Sequence, residues 1–151
     1  MASAAPVDDV TWTDPTCPVA RTLDIVGDRW SLLIIRDAMD GARSFTDLQH
    51  RAGVARNILT NRLRRLVDRG ILRRETAASG RRQVYVLTEV GRDLFTVVVA
   101  MRQWGERHMF APDEARSVLV DESGRPVAAL RPVDEDGVGL DVDATTVLRP
   151  A

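Results

Sequence analysis

SFTDLQHRAGVARNILTNRLRRLVDRGILRRETAASGRRQVYVL, residues 44–87, is the stretch whose reading decides the fold. Ser44 suits a helix N-cap, and Asp47 stands at the third helical position, where a carboxylate can return the capping-box bond. Phe45 and Leu48 are the apolar contacts of this short helix. Ala52-Gly53-Val54 reads as a tight turn, and a second helix follows over Arg56–Arg69. Its inward stripe is Leu59, Leu63, Leu66 and Val67, at offsets 0, 4, 7 and 8, the spacing of one helix face. Gly70 closes it. Two β-leaning runs come next, Ile71–Thr76 and Arg82–Leu87, the second alternating Val84 and Val86 with Gln83, Tyr85 and Leu87. Ala77–Arg81 joins them as a hairpin loop with a basic tip. Two helices about a tight turn, then a hairpin, make a helix-turn-helix with a wing.

The flanks extend the same pattern. Residues 1–16 lack periodicity and read as a flexible N-terminal arm, with Trp12 suited to pin part of it. Cys17-Pro18 starts a helix over Pro18–Val26, because proline at the first helical position loses no hydrogen bond. Leu23 and Val26 are its expected inward residues. Gly27 ends it, and Asp28 caps a helix in which Trp30, Leu33, Ile34 and Asp37-Ala38 recur at helical spacing, with Leu32 and Ile35 widening the apolar stripe. Beyond the wing, Thr88 caps one long helix reaching to about Met109. Its apolar stripe is Val90, Leu94, Val97, Val98, Met101 and Trp104, broadened by Phe95 and Val99. After Pro112 the chain turns acidic, and Val118–Val120 and Val127–Leu130 flank a turn through Glu122-Ser123-Gly124-Arg125. The expected organisation is an arm (1–16), a winged helix with its dimerisation helix (17–110) and an acidic extension with a β-hairpin (111–151). The fold class is mostly α with a β-hairpin wing (α+β).

Charge singles out the same region. The chain has 21 basic residues, all arginine, against 22 acids, for a net charge of −1. Eleven of those arginines and only three acids lie between Arg43 and Arg82, giving that window +8, whereas residues 111–151 carry −5. A basic face on an otherwise acidic chain suits a polyphosphate such as double-stranded DNA. With the leucine stripe inward, Asn57, Thr60, Asn61 and Arg64 fall on the outer side of the second helix, and Arg56 projects from its first turn. Arginine can bond bidentately to guanine, asparagine to adenine, and threonine can meet a thymine methyl. Arg62, Arg65, Arg73 and Arg74 suit phosphates or internal pairs. Arg81 and Arg82 at the wing suit the DNA backbone or minor groove, and Ser44 joins the DNA-facing set.

Other chemistries find no support. One cysteine excludes an intramolecular disulfide framework and a cysteine-rich zinc site. His50 and His108 lack metal-like partners, Asp134-Glu135-Asp136 lacks the spacing of a calcium loop, and no phosphate loop or nucleophile elbow is present. No metal, cofactor or catalytic residue is expected. With no membrane-length apolar run and no signal-peptide pattern, the expected location is cytoplasmic.

Several segments resemble the HxlR-type winged-helix regulators, relatives of the MarR group. They are Cys17-Pro18-Val19-Ala20, Leu23 to Trp30, Leu32 to Arg36, Gly41 to Leu48, Leu59 to Leu66, Asp68 to Leu72, Tyr85 to Arg92 and Trp104-Gly105. The resemblance covers roughly residues 17–110. It implies a homodimeric transcription factor, dimerised through the first helix and the long helix after the wing; a two-fold dimer predicts a pseudo-palindromic operator, and the expected role is that of a repressor. One departure stands out: the family usually places serine before the second helix of the pair, often followed by proline, and here Ala55-Arg56 occupy that place. A lost N-cap costs about 1 kcal/mol.

The resemblance also gives Cys17 two readings. It stands as an N-cap, where a helix dipole and nearby Arg21 favour the reactive thiolate, and some relatives sense electrophiles with a cysteine there. A free cysteine is equally at home as a small packing residue. Two further readings stay open at this level, a small-molecule effector bound at the dimer interface and a winged helix that binds protein rather than DNA.

Overall fold

A computed structural model describes residues 10–151. Its elements are α1 (Pro18–Val26), α2 (Arg29–Met39), α3 (Phe45–Ala52), α4 (Arg56–Asp68), β1 (Leu72–Thr76), β2 (Gln83–Leu87), α5 (Glu89–Asp93), α6 (Phe95–His108) and a 3-10 turn at Val142–Ala144. They form two compact units, one up to Phe95 and one from Thr96 to Ala151. The first nine residues, part of the expected arm, lie outside the described residues. The rest of that arm is tied down: the Thr13 amide and hydroxyl donate to the Asp24 carboxylate at 2.9 and 2.8 Å. Those two bonds hold the Asp24 carboxyl below the usual carboxylate range.

The core of the first unit follows from helical periodicity. Ile34 and Ile35 of α2, Leu48 of α3, Leu59, Leu63 and Leu66 of α4 and Leu72 of β1 are its largest fully buried side chains. Val67 at the edge of the α4 stripe is half-buried. Leu23 departs from expectation. Val26 is buried, but Leu23 is 58% exposed and, with Val19 one turn earlier, forms an outward apolar strip on α1. Such a short helix offers two apolar faces, and periodicity alone does not say which one meets the core.

Helix starts are set by side-chain caps. Cys17, Asp28, Ser44 and Thr88 each accept a backbone N–H at the start of α1, α2, α3 and α5. Half of the capping box at Ser44 forms: its Oγ accepts the Asp47 amide at 3.1 Å. The Asp47 carboxylate turns instead to Arg51, one turn along, at 3.2 Å. At Ala55 no side chain caps α4. The turn between α3 and α4 rests on Gly53, whose φ of +63° is left-handed and strains any residue with a Cβ.

Asp28 does more than cap. One of its oxygens accepts the Trp30 and Ser31 amides, each at 3.1 Å, and also Nε of Arg62 from α4 at 2.8 Å. The other takes the Ser31 hydroxyl. Partial burial alone would raise this carboxyl, yet the Ser31 hydroxyl and amide and the Arg62 guanidinium outweigh it and hold the group below its ordinary value. One carboxylate thus joins the start of α2 to the middle of α4.

The wing is antiparallel, paired from Leu72↔Leu87 at its base to Thr76↔Gln83 near its tip. The segment before α3 adds to its edge. The Tyr85 amide donates to the Arg43 carbonyl at 2.8 Å, and Ser44 forms an isolated bridge with Val84. A single-bridge segment has no alternation to reveal it in sequence.

The long helix expected after Thr88 is two helices, α5 and α6, separated at Leu94. There the Leu94 amide bonds the Gly91 carbonyl at 3.2 Å, a tightened turn that ends α5. The start of α5 is pressed against the base of the wing: Thr88 Oγ1 donates toward the Gly70 and Ile71 carbonyls and accepts the Gly91 amide. A Cβ on Gly91 would lie 2.2 Å from the Ile71 carbonyl oxygen. An apolar stripe reads straight through a one-residue break, so periodicity does not reveal it.

In the second unit Val99 is the buried side chain of α6. The tail runs as turns rather than strands. In place of the expected hairpin strands stands one isolated bridge between Val120 and Pro126, and a second isolated bridge joins Val133 and Gly139. Asp121 and Asp134 close the two turns by accepting amides two and four residues on.

Two stability outcomes are expected. Gly91→Ala should cost about 1–3 kcal/mol, the usual range for forcing a methyl into a packed backbone contact, and urea unfolding will read it. Asp28→Ala should cost about 1–3 kcal/mol at neutral pH through the lost cap and pair. Because the folded carboxyl is depressed, its contribution is complete above the unfolded value of about 4. It fades as pH falls through the folded value, so the gap between variant and wild type should close in acid.

Candidate nucleic-acid interface

The outer face of α4 is built by what its inner face buries. With Leu59, Leu63 and Leu66 packed away, Arg56, Asn57, Thr60, Asn61 and Arg64 together line one open concavity of about 570 Å3. These are the five residues expected to meet base edges. Asn57 makes no side-chain hydrogen bond among the described residues, so its amide keeps both donor and acceptor for an adenine edge. The Thr60 hydroxyl donates to the Arg56 carbonyl at 2.9 Å, which leaves its methyl and its lone pairs to a partner. Asn61 Oδ1 accepts from Arg62 at 2.9 Å, so the free group of that side chain is its NH2.

Arg56 is placed by an unexpected contact. Its guanidinium stacks 4.9 Å from the Phe45 ring centroid of α3, a cation–π contact across the tight turn. That contact steadies the uncapped first turn of α4 and still leaves Arg56 exposed. Sequence spacing held no signal for it, since the two residues meet only once the turn has formed.

The arginine window divides by partner. Arg51 pairs with Asp40 and Asp47, Arg62 with Asp28 and Arg73 with Glu75. Arg62 and Arg73 are thus internal pairs. Arg43, Arg56, Arg64, Arg65, Arg69, Arg74, Arg81 and Arg82 have no carboxylate partner among the described residues. Arg65 leans toward the Asp24 carbonyl, 3.4 Å from its guanidinium, one turn from Asn61 on α4. Arg81 and Arg82 are exposed at the wing tip, in a turn closed by the Ala77 amide on the Arg82 carbonyl at 2.7 Å. Ser44 is half-buried, its hydroxyl engaged in capping α3 and its backbone bridged to the wing. Excess cation on one helix face and one hairpin, unmatched by carboxylate, is the electrostatic form of a phosphate-binding surface.

Cys17 is not among the residues that line this face. It is half-buried, and its Sγ accepts the Ala20 amide at 3.4 Å. Arg21 is held elsewhere, with Nε on the Pro15 carbonyl at 2.8 Å and its guanidinium 4.7 Å from the centre of the Trp12 ring. No group of three or more metal-ligating side chains occurs among the described residues. No helix among them is long and apolar enough to cross a membrane.

This architecture has known counterparts. An uncharacterized HTH-type transcriptional regulator of Mycobacterium tuberculosis is 44% identical over 96 residues, 63% of this chain and 61% of that protein. The chain thus spans about three-fifths of the length of that relative. The crystal structure of PA1607, described as a candidate transcription factor, superposes with a TM-score of 0.86 at 48% identity, covering 91% of this chain and 97% of that one. The redox regulator HypR in its reduced form gives a TM-score of 0.57 at 33% identity, covering 62% of this chain and 94% of its own. A family model described as HxlR-like helix-turn-helix matches residues 25–113. Winged helix, bare basic face and family match agree, and the chain belongs to the HxlR-like helix-turn-helix family.

Proposed function

We propose that this chain is a sequence-specific DNA-binding regulator of transcription, acting as a homodimeric repressor on a pseudo-palindromic operator. The observation that carries the reading is the concavity of Arg56, Asn57, Thr60, Asn61 and Arg64 on the exposed face of α4. These five side chains read base edges from the major groove. Ser44 at the start of α3, Arg65 on α4 and Arg81 and Arg82 on the wing meet phosphates or the minor groove. Affinity then comes chiefly from arginine–phosphate contacts and falls steeply with salt, each neutralised phosphate adding about −0.9 to the slope of log K against log salt.

Dimerisation is supported by apolar surface that a lone protomer leaves in water. Val19 and Leu23 on α1, and Phe95, Met101 and Trp104 on α6, are each about half exposed or more. Two copies related by a two-fold axis present their α4 helices to successive major grooves about 34–36 Å apart. The winged-helix domain with its dimer helix is assigned to residues 17–110.

A second reading concerns control. Cys17 is the lone cysteine and caps α1, with Sγ accepting a helix amide. HypR, a similar fold, is a redox regulator known in reduced and oxidised forms. Thiol modification at Cys17 would break the cap of a helix that bears exposed apolar surface, and so alter the dimer. A small-molecule effector has a candidate place as well, an apolar pocket of about 300 Å3 lined by Trp12, Ile25, Val26, Ile71, Val90 and Leu94.

Arg64→Ala should weaken operator binding by about 1–3 kcal/mol and relax preference at one base position, measured by fluorescence anisotropy on a panel of operator variants. An equal loss on every sequence makes Arg64 a phosphate contact. Absence of DNA affinity in the wild type at low salt leaves an interaction module in place of a regulator. Cys17→Ser keeps a capping side chain, so it should preserve operator affinity and abolish the response to diamide. An unaltered response removes Cys17 from control.

A further inference from the structure

A carboxamide carries an acceptor at one end and two donors at the other, and the end that meets a partner decides what it can read. In Asn61 that choice is already made. Arg62 Nη1 donates to Asn61 Oδ1 at 2.9 Å. Arginine has donors only, so the end of the amide lying against it is the oxygen. A flipped amide would set NH2 against guanidinium, donor against donor, and lose a bond that the arginine charge strengthens.

Arg62 is itself held. Its Nε donates to Asp28 Oδ1 at 2.8 Å, and its side chain is only 24% exposed. The Asp28 carboxylate is fixed in turn by the Trp30 and Ser31 amides and by the Ser31 hydroxyl. Swinging Arg62 out to a phosphate would leave a partly buried carboxylate without its countercharge. One line of contacts therefore runs from the start of α2 through Arg62 to a single atom of Asn61. Asn61 stands in the α4 concavity with Arg56, Asn57, Thr60 and Arg64, and its Nδ2 hydrogens have no acceptor among the described residues. Asn57, one turn earlier, has neither end engaged among those residues and is the internal contrast.

Base edges differ in the matching respect. In the major groove guanine shows the acceptors N7 and O6 and thymine shows O4, with no donor, whereas adenine and cytosine each show an amino group. The adenine-specific pair uses both ends of an asparagine, oxygen to N6 and NH2 to N7. Asn57 can make that pair. The Asn61 oxygen is committed to Arg62.

We propose that Arg62, held by Asp28, orients the Asn61 amide so that Asn61 selects a base whose edge carries acceptors alone, guanine or thymine, over adenine and cytosine. The proposal rests on the reading of α4 as the base-contacting helix and deepens it. Asn61 is then the residue that determines specificity at one base position, and Arg62 and Asp28 are positioning residues that act through it.

The test selects sites from random duplex DNA with the full-length protein. A panel with all four bases at each site position is then titrated by fluorescence anisotropy against wild type, Asn61→Ala and Arg62→Met. Asn61→Ala identifies the position that Asn61 reads as the one whose preference flattens. There the wild type should favour guanine or thymine over adenine by about tenfold. Arg62→Met keeps an unbranched side chain but donates nothing, so it should erase the bias against adenine at that position alone. A merely structural loss would weaken every sequence alike and would not reorder the bases at one place. Adenine or cytosine preferred by the wild type at that position overturns the proposal, and this comparison decides it even where Arg62→Met does not fold. A folded Arg62→Met that keeps the wild-type order also overturns it, as does an Asn61→Ala that weakens all sequences equally, the mark of a phosphate contact. A wild type with no base preference at any position is a different result, which removes base reading by α4 as well.

Discussion

The carboxylate of Asp28 is the constraint on which the rest depends. It caps α2 through the Trp30 and Ser31 amides and grips Nε of Arg62 at 2.8 Å. α4 is a cylinder with a leucine stripe, and a stripe alone leaves some freedom to roll. Anchoring Arg62, at the edge of the stripe, removes that freedom and turns Asn57, Thr60, Asn61 and Arg64 outward together. The Phe45–Arg56 stack holds the N-terminal end of the helix, where no side chain caps it. The proposed reading of bases requires side chains held to within a fraction of an ångström, and these two contacts hold α4 at two points.

Much of this was legible in the residues themselves. The helix-turn-helix followed from the leucine offsets of α4 and the glycine at Gly53, and the wing from the alternation around Val84 and Val86. Aspartate, serine and threonine before apolar runs located the starts of α2, α3 and α5, because a short oxygen-bearing side chain satisfies amides that nothing else can reach. The outward set on α4 was legible for the same reason as the core: one face of a helix determines the opposite one.

What sequence did not reveal is tertiary in origin. The Asp28–Arg62 pair spans 34 residues, and no local pattern couples such positions. Arg43 and Ser44 join the wing by isolated contacts, below the length at which alternation can be seen. The break at Leu94 leaves the apolar period intact, so one helix was expected where α5 and α6 stand. Leu23 shows the limit of amphipathic reasoning. Its position on α1 predicted burial, yet it is Val26 that meets the core while Leu23 is exposed, because a nine-residue helix with two apolar faces does not reveal which one turns inward.

The proposed function therefore rests on a bare, oriented α4 and on its proposed duplication in a dimer. Selection of operators from random duplex DNA by the purified full-length protein tests this most directly. It should enrich two inverted half-sites, their centres one helical turn apart, about 10 base pairs. An unenriched pool, or one enriched only for a single unrepeated motif, would contradict the paired recognition helices.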